Sequence, residues 1–536
     1  MFKHLKAFLK KKENTLFLII LLIASFLRLY EIAGYMTFLG DEGRDMLVAY
    51  NILHGNFTLL GPTASVGGFF MGPLYYYFIA PFLWLFNYNP VGPSVMVALF
   101  GIATVWLIYK VTAEFFDTKA AIFASSLYAV SPLVIAYSRS SWNPNLMPFF
   151  SLLMLYTLYH AVRKSSPKLL FLSGVLYGIL LELHYIVTFL AVIIVVYILF
   201  IGLKPCKGSV LTKIASIGKH YFFVFLGSLV GFSPFLLFEV RHGFPNFRSI
   251  SNFIFNSGET GTNLHFFSSI WDIFFRLFGR LITKFPPPEQ ISVQVSTTNV
   301  DLYFNVFKVS VSYLYFGTVL LAFATLLILF KKSLKALREN KDDFQNLALL
   351  FVWLFVGVFL FGFYRKAVYD YYLEFMFPLP FILVGSLFSS LYSNKFLKPL
   401  SLGVFLILIL LNLSGAPFRY PPNRQLAQVE KISRFVSDKT EGKPFNFALI
   451  TKGNSDHAYR YFFTLWDHEP LTIQNTQVDP KKTTITDQLL IVCEDPTCQP
   501  LGNSLWEVAG FGRGEIAGQW DVSVVKVFKL VHYQGK

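Results

Sequence analysis

The chain has 536 residues, of which 54% are hydrophobic and only 14% are charged, whereas a soluble domain carries about a quarter charged residues. This composition excludes a disordered chain, a collagen, a disulfide-rich scaffold and an ordinary cytosolic enzyme, and it is typical of a multi-pass membrane protein. The formal net charge of +15 fits either nucleic-acid binding or the cationic loops that orient membrane proteins.

Eleven apolar runs have about the 17–25 residues that cross a bilayer core. The first, at about 15–35, follows a lysine-rich segment and lacks a small-residue cleavage site, so we interpret it as a retained signal anchor. The others lie at about 92–110, 120–137, 146–162, 168–183, 186–203, 220–240, 309–330, 346–363, 372–392 and 398–415.

Positive charge concentrates on one side of this predicted topology. With a cytoplasmic N-terminus, the cytoplasmic segments hold 21 Lys and Arg, and the shorter outer segments hold only Arg44, Arg139, Arg365 and Lys366. Lys and Arg are retained in cytoplasmic loops. The basic charge therefore reflects topology, and no nucleic-acid partner is expected.

Two apolar segments do not fit as spans. Residues 72–86 are short, hold two prolines and would invert every later loop, so they predict an interfacial or re-entrant helix on the outer face. In 266–284, Arg276, Arg280 and Lys284 recur at four-residue spacing among aromatic residues. This pattern predicts an amphipathic helix that lies on the membrane.

The chain changes character after a proline-rich linker at about 416. Residues 423–438 and 455–466 are predicted to be helical, and 445–451 and 489–493 are predicted to be strands. We therefore divide the chain into a membrane domain, 1–415, and a small extracytoplasmic α/β domain, 416–536. Outside the cell, Cys493 and Cys498 could form a disulfide; two free thiols are the alternative. A zinc site is not expected.

The predicted fold is thus an all-α polytopic membrane protein of about eleven transmembrane helices, with interfacial helices in its outer loops and a small C-terminal α/β domain. Multi-pass insertion in the cytoplasmic membrane is expected, with the C-terminal domain outside.

The first outer loop carries an acidic pair, Asp41 and Glu42, followed by Arg44 and Asp45. A carboxylate at a helix N-terminus is often only a cap. That explanation accounts for one acid, but not for an adjacent pair with a third acid nearby.

Three further groups of polar residues fall on the same predicted face. Arg139 could be a snorkelling side chain, the neighbouring asparagines could be helix caps, and a lone histidine is more often packed than catalytic. Together, cations that stabilise a leaving phosphate and a carboxylate that accepts a proton suit a reaction on an anionic lipid headgroup. The candidate substrate-binding residues are Arg139, Asn143, Asn145, His184, Arg365, Lys366, Tyr369 and Tyr372.

Four stretches resemble the integral-membrane GT-C glycosyltransferases, in particular the family of protein O-mannosyltransferases and lipid A aminoarabinose transferases (glycosyltransferase family 39). The similarity covers roughly 15–415. The stretches are GDEGRD (40–45), GPLYYYFIAPFLWLF (72–86), YSRSSWNPNLMPFF (137–150) and YDYYLEFMFPLPFILVG (369–385).

The resemblance implies a polyprenyl-phosphate sugar donor, no nucleotide sugar and no metal. It also implies that Asp41 is the catalytic base, with Glu42 as its partner. Family members often have another acid in the second outer turn, where this chain has Asn143 and Asn145. The WWD-type signature of oligosaccharyltransferases is absent, which argues against a metal-dependent en bloc transferase.

The sequence therefore predicts an inverting glycosyltransferase at the outer face, with Asp41 as base and Arg365, Lys366 and Arg139 on the lipid phosphate. His184 and Tyr372 would be further donors to that phosphate. A transporter or flippase of a lipid-linked saccharide is the alternative from another class, and a scaffold that displays the C-terminal domain is a third. The acceptor could be a protein, a lipid or a polymer.

Overall fold

A computed structural model of the protein describes residues 12–203, 209–262, 265–285, 303–306, 309–339, 344–495 and 497–535. All eleven apolar runs form helices over most of their length. The helices of the membrane region are α1 Lys12–Leu29, α2 Ile32–Tyr35, α3 Gly40–Leu53, α4 Leu74–Leu85, α5 Val91–Phe115, α6 Thr118–Val130, α7 Pro132–Tyr137, α8 Met147–Arg163, α9 Pro167–Leu183, α10 Thr188–Gly202, α11 Val210–Gly231, α12 Ser233–His242, α13 Pro245–Phe255, α14 Phe266–Phe278, α15 Tyr313–Arg338, α16 Phe344–Phe361, α17 Pro378–Tyr392 and α18 Lys398–Leu413.

The described residues contain six helical segments that are long and apolar enough to cross a membrane, or seven if the bent pair Asp370–Met376 and Pro378–Tyr392 is one span. The protein is therefore a multi-pass membrane protein. The count of eleven spans stays a prediction, because several runs are shorter or broken. The run 120–137, for example, divides into α6 and α7 at Pro132, whose ring removes a backbone donor and favours a new first turn.

The two predicted interfacial segments form helices, α4 and α14. The helix α4 has 12 residues, which is too short to span a bilayer core. The prediction that the cations of 266–284 lie on the membrane surface is wrong for Arg276, in α14, and for Arg280, in the short π-helix Gly279–Thr283 that follows it. Arg276 and Arg280 are each only 3% exposed, because both pair with Asp370, at 3.0 and 2.9 Å.

The C-terminal region forms the predicted small α/β unit. Its helices are α19 Gln425–Lys439, α20 His457–Leu465 and α21 Trp506–Phe511, and its strands are β3 Asn446–Ile450, β4 Gln488–Cys493, β5 Gly514–Val522 and β6 Val525–His532. The sheet order is β3-β4-β6-β5, with β3 and β4 parallel and the other pairs antiparallel. Earlier in the chain, β1 Tyr303–Val306 and β2 Val309–Ser312 form an antiparallel pair.

A disulfide joins Cys493 and Cys498. It closes a short loop directly after β4, one of the two inner strands of the sheet. Of the two alternatives that the sequence left open, the structure has the bridge.

The C-terminal unit packs directly on the membrane region through α20 and α3. A Cβ atom added to Gly43 would lie 2.2 Å from the backbone nitrogen of Ala458, and one added to Gly40 would lie 2.0 Å from Ser455 Oγ. Glycine at both positions lets the two helices approach at backbone distance. A single hydrophobic core consequently runs from the membrane helices into α19 and α20.

Candidate active site

A cavity of about 520 Å³ lies at the N-terminus of α3, and we call it the α3 cavity. Three separate parts of the chain line it: residues 37–42, the turn at 136–145, and the loop 453–455 of the C-terminal unit. Its polar lining groups are Thr37, Asp41, Glu42, Ser140, Asn145, Asn454 and Ser455. The cavity therefore combines a carboxylate with hydroxyl and amide groups.

Asp41 is the acid that the cavity exposes. Its side chain is 57% exposed, and one carboxylate oxygen accepts from Arg44 Nη1 at 2.9 Å. The same guanidinium donates to the fully buried Asp45 through Nη2 at 2.8 Å. Arg44 thus links Asp41 and Asp45 through one guanidinium.

Glu42 differs from Asp41 although the two are neighbours. Its Oε2 accepts from the backbone N–H of Leu39 at 2.9 Å, which is the reciprocal half of a capping box. Burial raises the pKa of the Glu42 carboxyl to about 7. Burial also raises the pKa of Asp45 to about 7, against the opposing effect of Arg44.

A series of pairwise contacts connects the four polar segments predicted on one face. Thr37 N–H donates to Ser140 Oγ at 3.2 Å, which joins the first loop to the second turn. Asn143 Nδ2 donates to Leu183 O at 2.6 Å, which joins the second turn to the third. The ring of His184 contacts Tyr372 with centroids 5.3 Å apart, which joins the third group to the fourth.

The asparagines and the histidine of these groups are buried. Asn145 lines the α3 cavity and donates to Tyr137 O and Ser140 O, both at 2.8 Å. His184 Nδ1 accepts from Ile186 N–H at 3.2 Å, and burial lowers the pKa of the His184 imidazole to about 3. The ring is therefore neutral at physiological pH.

Of the two candidate tyrosines of the fourth group, Tyr372 lies beside the histidine and Tyr369 lies next to Tyr372. Tyr372 is buried and its hydroxyl shares a hydrogen bond of 3.1 Å with Ser65. Tyr369 is exposed and its ring lies 5.9 Å from that of Tyr372.

The structure places the three predicted phosphate-binding cations away from the lining of the α3 cavity. Arg139 is 1% exposed and donates to Leu27 O at 2.9 Å and Tyr30 O at 2.7 Å, so it joins α1 to the second turn instead of snorkelling. Arg365 donates to three backbone carbonyls of the loop 258–262. Lys366 pairs with Glu259 at 2.7 Å.

Comparison with known proteins agrees with this architecture. Residues 71–238 match the family model of the dolichyl-phosphate-mannose-protein mannosyltransferases. No curated protein sequence matches the chain.

Solved structures show the same fold at low sequence identity. ArnT from Cupriavidus metallidurans, bound to undecaprenyl phosphate, is 13% identical with a TM-score of 0.59, over 96% of this chain and 97% of ArnT. The apo oligosaccharyltransferase of Archaeoglobus fulgidus is 14% identical with a TM-score of 0.54, over 96% of this chain and 76% of its own. AglB from the same organism, with an inhibitory peptide and a dolichol-phosphate, is 13% identical with a TM-score of 0.51, over 90% and 70%.

The chain has the GT-C fold. The resemblance stated from the sequence is thereby confirmed, with the family match covering two of its four stretches, at 72–86 and 137–150.

Within this GT-C fold, sequence reasoning missed the contribution of the C-terminal unit to the cavity. Asn454 Oδ1 accepts from the backbone N–H of Gly40 at 2.8 Å, next to Asp41. The contact joins residues 414 positions apart, and no local pattern predicts it. The one available signal was the pair Gly40 and Gly43 at helical spacing, which indicates close approach of another backbone.

Proposed function

We propose that this protein is an inverting glycosyltransferase that moves a sugar from a polyprenyl-phosphate donor to an acceptor hydroxyl or amine of a protein, lipid or polymer. The reaction takes place at the outer face of the cytoplasmic membrane. The membrane domain, 1–415, carries the chemistry, and the C-terminal domain, 416–536, closes the site. The observation that carries this proposal is an exposed carboxylate, Asp41, in a polar cavity of a GT-C fold.

Asp41 acts as the general base. It takes the proton of the acceptor while the acceptor atom attacks the anomeric carbon from the side opposite the lipid phosphate. The bond between the anomeric carbon and the phosphate oxygen breaks, and polyprenyl phosphate leaves with the bonding electrons. A single displacement of this kind inverts the anomeric centre. Arg44, 2.9 Å from Asp41, holds this carboxylate in place in the first turn of α3.

Glu42 supports Asp41 structurally and does not itself accept the proton. Its carboxyl is buried and bonded to the backbone of Leu39, so it orients the first turn of α3. Asn143 and Asn145 stand where relatives carry a second acid, and they shape the second turn through backbone carbonyls.

Lys366 holds the lipid phosphate in this proposal, and Arg365 acts only by supporting the neighbouring loop, because three backbone carbonyls occupy its guanidinium. Lys366 is the accessible cation, since its side chain is 49% exposed, and phosphate would exchange with Glu259 as its partner. Arg365 builds the loop 258–262 through its carbonyl bonds. Tyr369, Tyr372 and the neutral His184 are hydrogen-bonding groups for the donor headgroup. We give Arg139 no part in phosphate binding, because carbonyls of α1 and the following turn occupy its guanidinium.

The donor is proposed from the fold and from its structural neighbours. The ArnT and AglB structures hold undecaprenyl phosphate and dolichol-phosphate, respectively. The disulfide between Cys493 and Cys498 supports an extracytoplasmic C-terminal domain, because such bonds persist in oxidising compartments.

A transporter is supported less well. A transport path needs ionisable groups deep in the membrane that are free to bind substrate or protons. The buried Glu182 and Glu239 instead accept from backbone amides, at Phe235 and Phe247 among others. Both acids therefore act as caps that join helices. Glu374 is the exception among the described residues, since it is fully buried and neither of its carboxylate oxygens has a hydrogen-bond partner; it is the acid that would suit a transport path.

The test is release of polyprenyl phosphate by the purified protein from a panel of polyprenyl-phosphate sugars. We expect release with at least one donor, and Asp41→Asn should lower it about 10²- to 10⁴-fold because the general base is lost. The matched control is Asp521→Asn, at an exposed position of β5, which should retain full activity. Near-normal turnover in folded Asp41→Asn would leave Asp41 only as a helix cap. Movement of the intact donor across proteoliposomes without phosphate release would favour the transporter.

A further inference from the structure

The segment before Asp41 is held by hydrogen bonds from every side. Four successive backbone N–H groups, those of residues 37–40, each donate to a side-chain oxygen. Two acceptors lie within the membrane domain, on Ser140 and Glu42. The other two lie in the C-terminal domain, where Gln425 Oε1 accepts from Phe38 at 3.1 Å and Asn454 Oδ1 accepts from Gly40 at 2.8 Å.

Asn454 is itself held in one orientation. Its Nδ2 donates to both oxygens of Glu494, at 3.0 and 3.2 Å, and its Oδ1 also accepts from Ser455 N–H at 2.9 Å. Glu494 Oε1 accepts in addition from the hydroxyl of Tyr459, at 2.8 Å. The carboxylate therefore fixes which end of the Asn454 amide faces the N-terminus of α3.

The position of this amide matters because Gly40 directly precedes Asp41 and is the first residue of α3. The N–H of Gly40 has no partner inside the helix, as is general for the first residues of a helix. Asn454 supplies that partner from a separate domain, and it also forms part of the wall of the α3 cavity.

We propose that Asn454, oriented by Glu494, is a positioning residue that fixes the start of α3 and so sets Asp41 for proton transfer. The inference rests on the proposed function, with Asp41 as the base. It gives the C-terminal domain a task in the reaction: the domain completes the catalytic geometry from outside the membrane helices. A displacement of about 1 Å at a catalytic group can cost about 10²-fold in rate, so loss of this one contact should be measurable.

The experiment compares Asn454→Ala with Asn503→Ala in the phosphate-release assay. Asn503 is the matched control, because its Oδ1 also accepts from a backbone N–H, that of Leu505 at 3.0 Å, within the C-terminal domain. We expect Asn454→Ala to lower kcat about 10- to 100-fold with KM for the donor changed less than about twofold, and Asn503→Ala to keep the kcat of the unmodified protein.

A rescue separates positioning from general damage to the fold. Asn454→Asp keeps the acceptor oxygen but places a second carboxylate against Glu494, so kcat should fall. Adding Glu494→Gln makes position 494 the amide donor and position 454 the carboxylate acceptor, which reverses the native contact. The double variant should recover most of kcat. Failure of the double variant to recover any activity would count against the proposed geometry.

Hydrogen exchange of the 37–40 amides gives a readout besides activity. Asn454→Ala should speed exchange there, whereas Asn503→Ala should not. A kcat of Asn454→Ala within twofold of the unmodified protein, or unchanged exchange at 37–40, would overturn the inference. A change confined to KM for the acceptor would also overturn it and make Asn454 an acceptor-binding residue. If the unmodified protein releases phosphate from no donor, the proposed function itself fails, which is a different result.

Discussion

At the scale of single residues, burial separates two adjacent acids that the sequence could only group as a pair. Asp41 is exposed to the α3 cavity, and Glu42 is buried beneath it with a raised pKa of about 7. Between the ordinary carboxyl pKa of about 4.3 and about 7, the unfolded chain ionises Glu42 while the folded chain keeps it protonated. The free energy of unfolding therefore falls as pH rises through that window.

Glu42→Gln should remove this pH dependence. Glutamine retains the oxygen that accepts from Leu39 N–H, as capping boxes allow, but it cannot ionise. Relative to the unmodified protein, the variant should gain about 1–3 kcal/mol between pH 5 and pH 8, measured by thermal unfolding in detergent at both pH values. Asp45 titrates in both proteins, and in the variant its pKa no longer has the raising effect of the Glu42 charge. The control Glu515→Gln, at an exposed position of β5, should show no such gain, and an equal gain in both variants would contradict the burial argument.

A second prediction at this scale concerns the affinity for the lipid phosphate, because Glu259 and the phosphate would compete for Lys366. Lys366→Gln should weaken binding of a polyprenyl phosphate by about 3- to 10-fold, since one charge-assisted hydrogen bond is lost. Glu259→Gln removes the competitor at 2.7 Å and should leave binding equal or tighter. Both affinities are measured by fluorescence titration at fixed ionic strength. Weaker binding in both variants would show that the ion pair serves only the loop.

The sequence predicted which candidate residues fall in the same loops, but it did not predict which atoms those residues contact. Periodicity and loop charge predict the four polar groups on one face, and pairwise contacts in the structure connect their segments. The sequence could not show that the Arg139 guanidinium donates to the carbonyls of Leu27 and Tyr30, because those contacts join residues 112 and 109 positions apart. A cation near a membrane surface has the same sequence signature whether it binds a phosphate or a carbonyl.

At the scale of elements, the hydrophobic runs predicted where helices form, but they predicted less well what each helix packs against. The amphipathic pattern of 266–284 was present, but Arg276 and Arg280 face Asp370 instead of the membrane, since a partner 90 or more residues away decides which face is covered. The strands β5 and β6 were missed. Most residues of β5 are exposed and form no strong apolar run. Pro132 was visible in the sequence, but the sequence did not show that it divides the run 120–137 into two helices.

The contact between α3 and α20 gives a prediction about this pair of helices. Gly43→Ala places a methyl group 2.2 Å from the backbone of Ala458, so one helix must move away. Overpacking of this kind costs about 1–3 kcal/mol, and the displaced domain should expose the linker near 416–424 to protease. The control is Gly403→Ala in α18, where an added Cβ meets nothing within 4 Å. Limited proteolysis and thermal unfolding measure both variants, and equal protease resistance would contradict a tight α3–α20 contact.

At the scale of the whole molecule, the α3 cavity needs both parts of the chain. Its walls come from the first loop, the turn at 136–145 and the C-terminal loop 453–455. The membrane helices share a hydrophobic core with α19 and α20. Chemistry at this cavity is consequently possible only on the side of the membrane where the C-terminal domain lies. The membrane topology therefore determines which side can supply the substrates.

The side of the membrane can be measured by cysteine labelling in intact cells. Val524 is 68% exposed on the C-terminal domain, and Ser209 precedes α11 in a segment predicted to be cytoplasmic because of its lysines. In a Cys206→Ser background, Val524→Cys should react with a membrane-impermeant maleimide, and Ser209→Cys should react only after the membrane is permeabilised. The native pair Cys493 and Cys498 should stay silent as a disulfide. Labelling of position 209 in intact cells, with position 524 protected, would place the α3 cavity in the cytoplasm. A donor presented at the outer face could not then reach Asp41, and the proposed direction of transfer would be reversed.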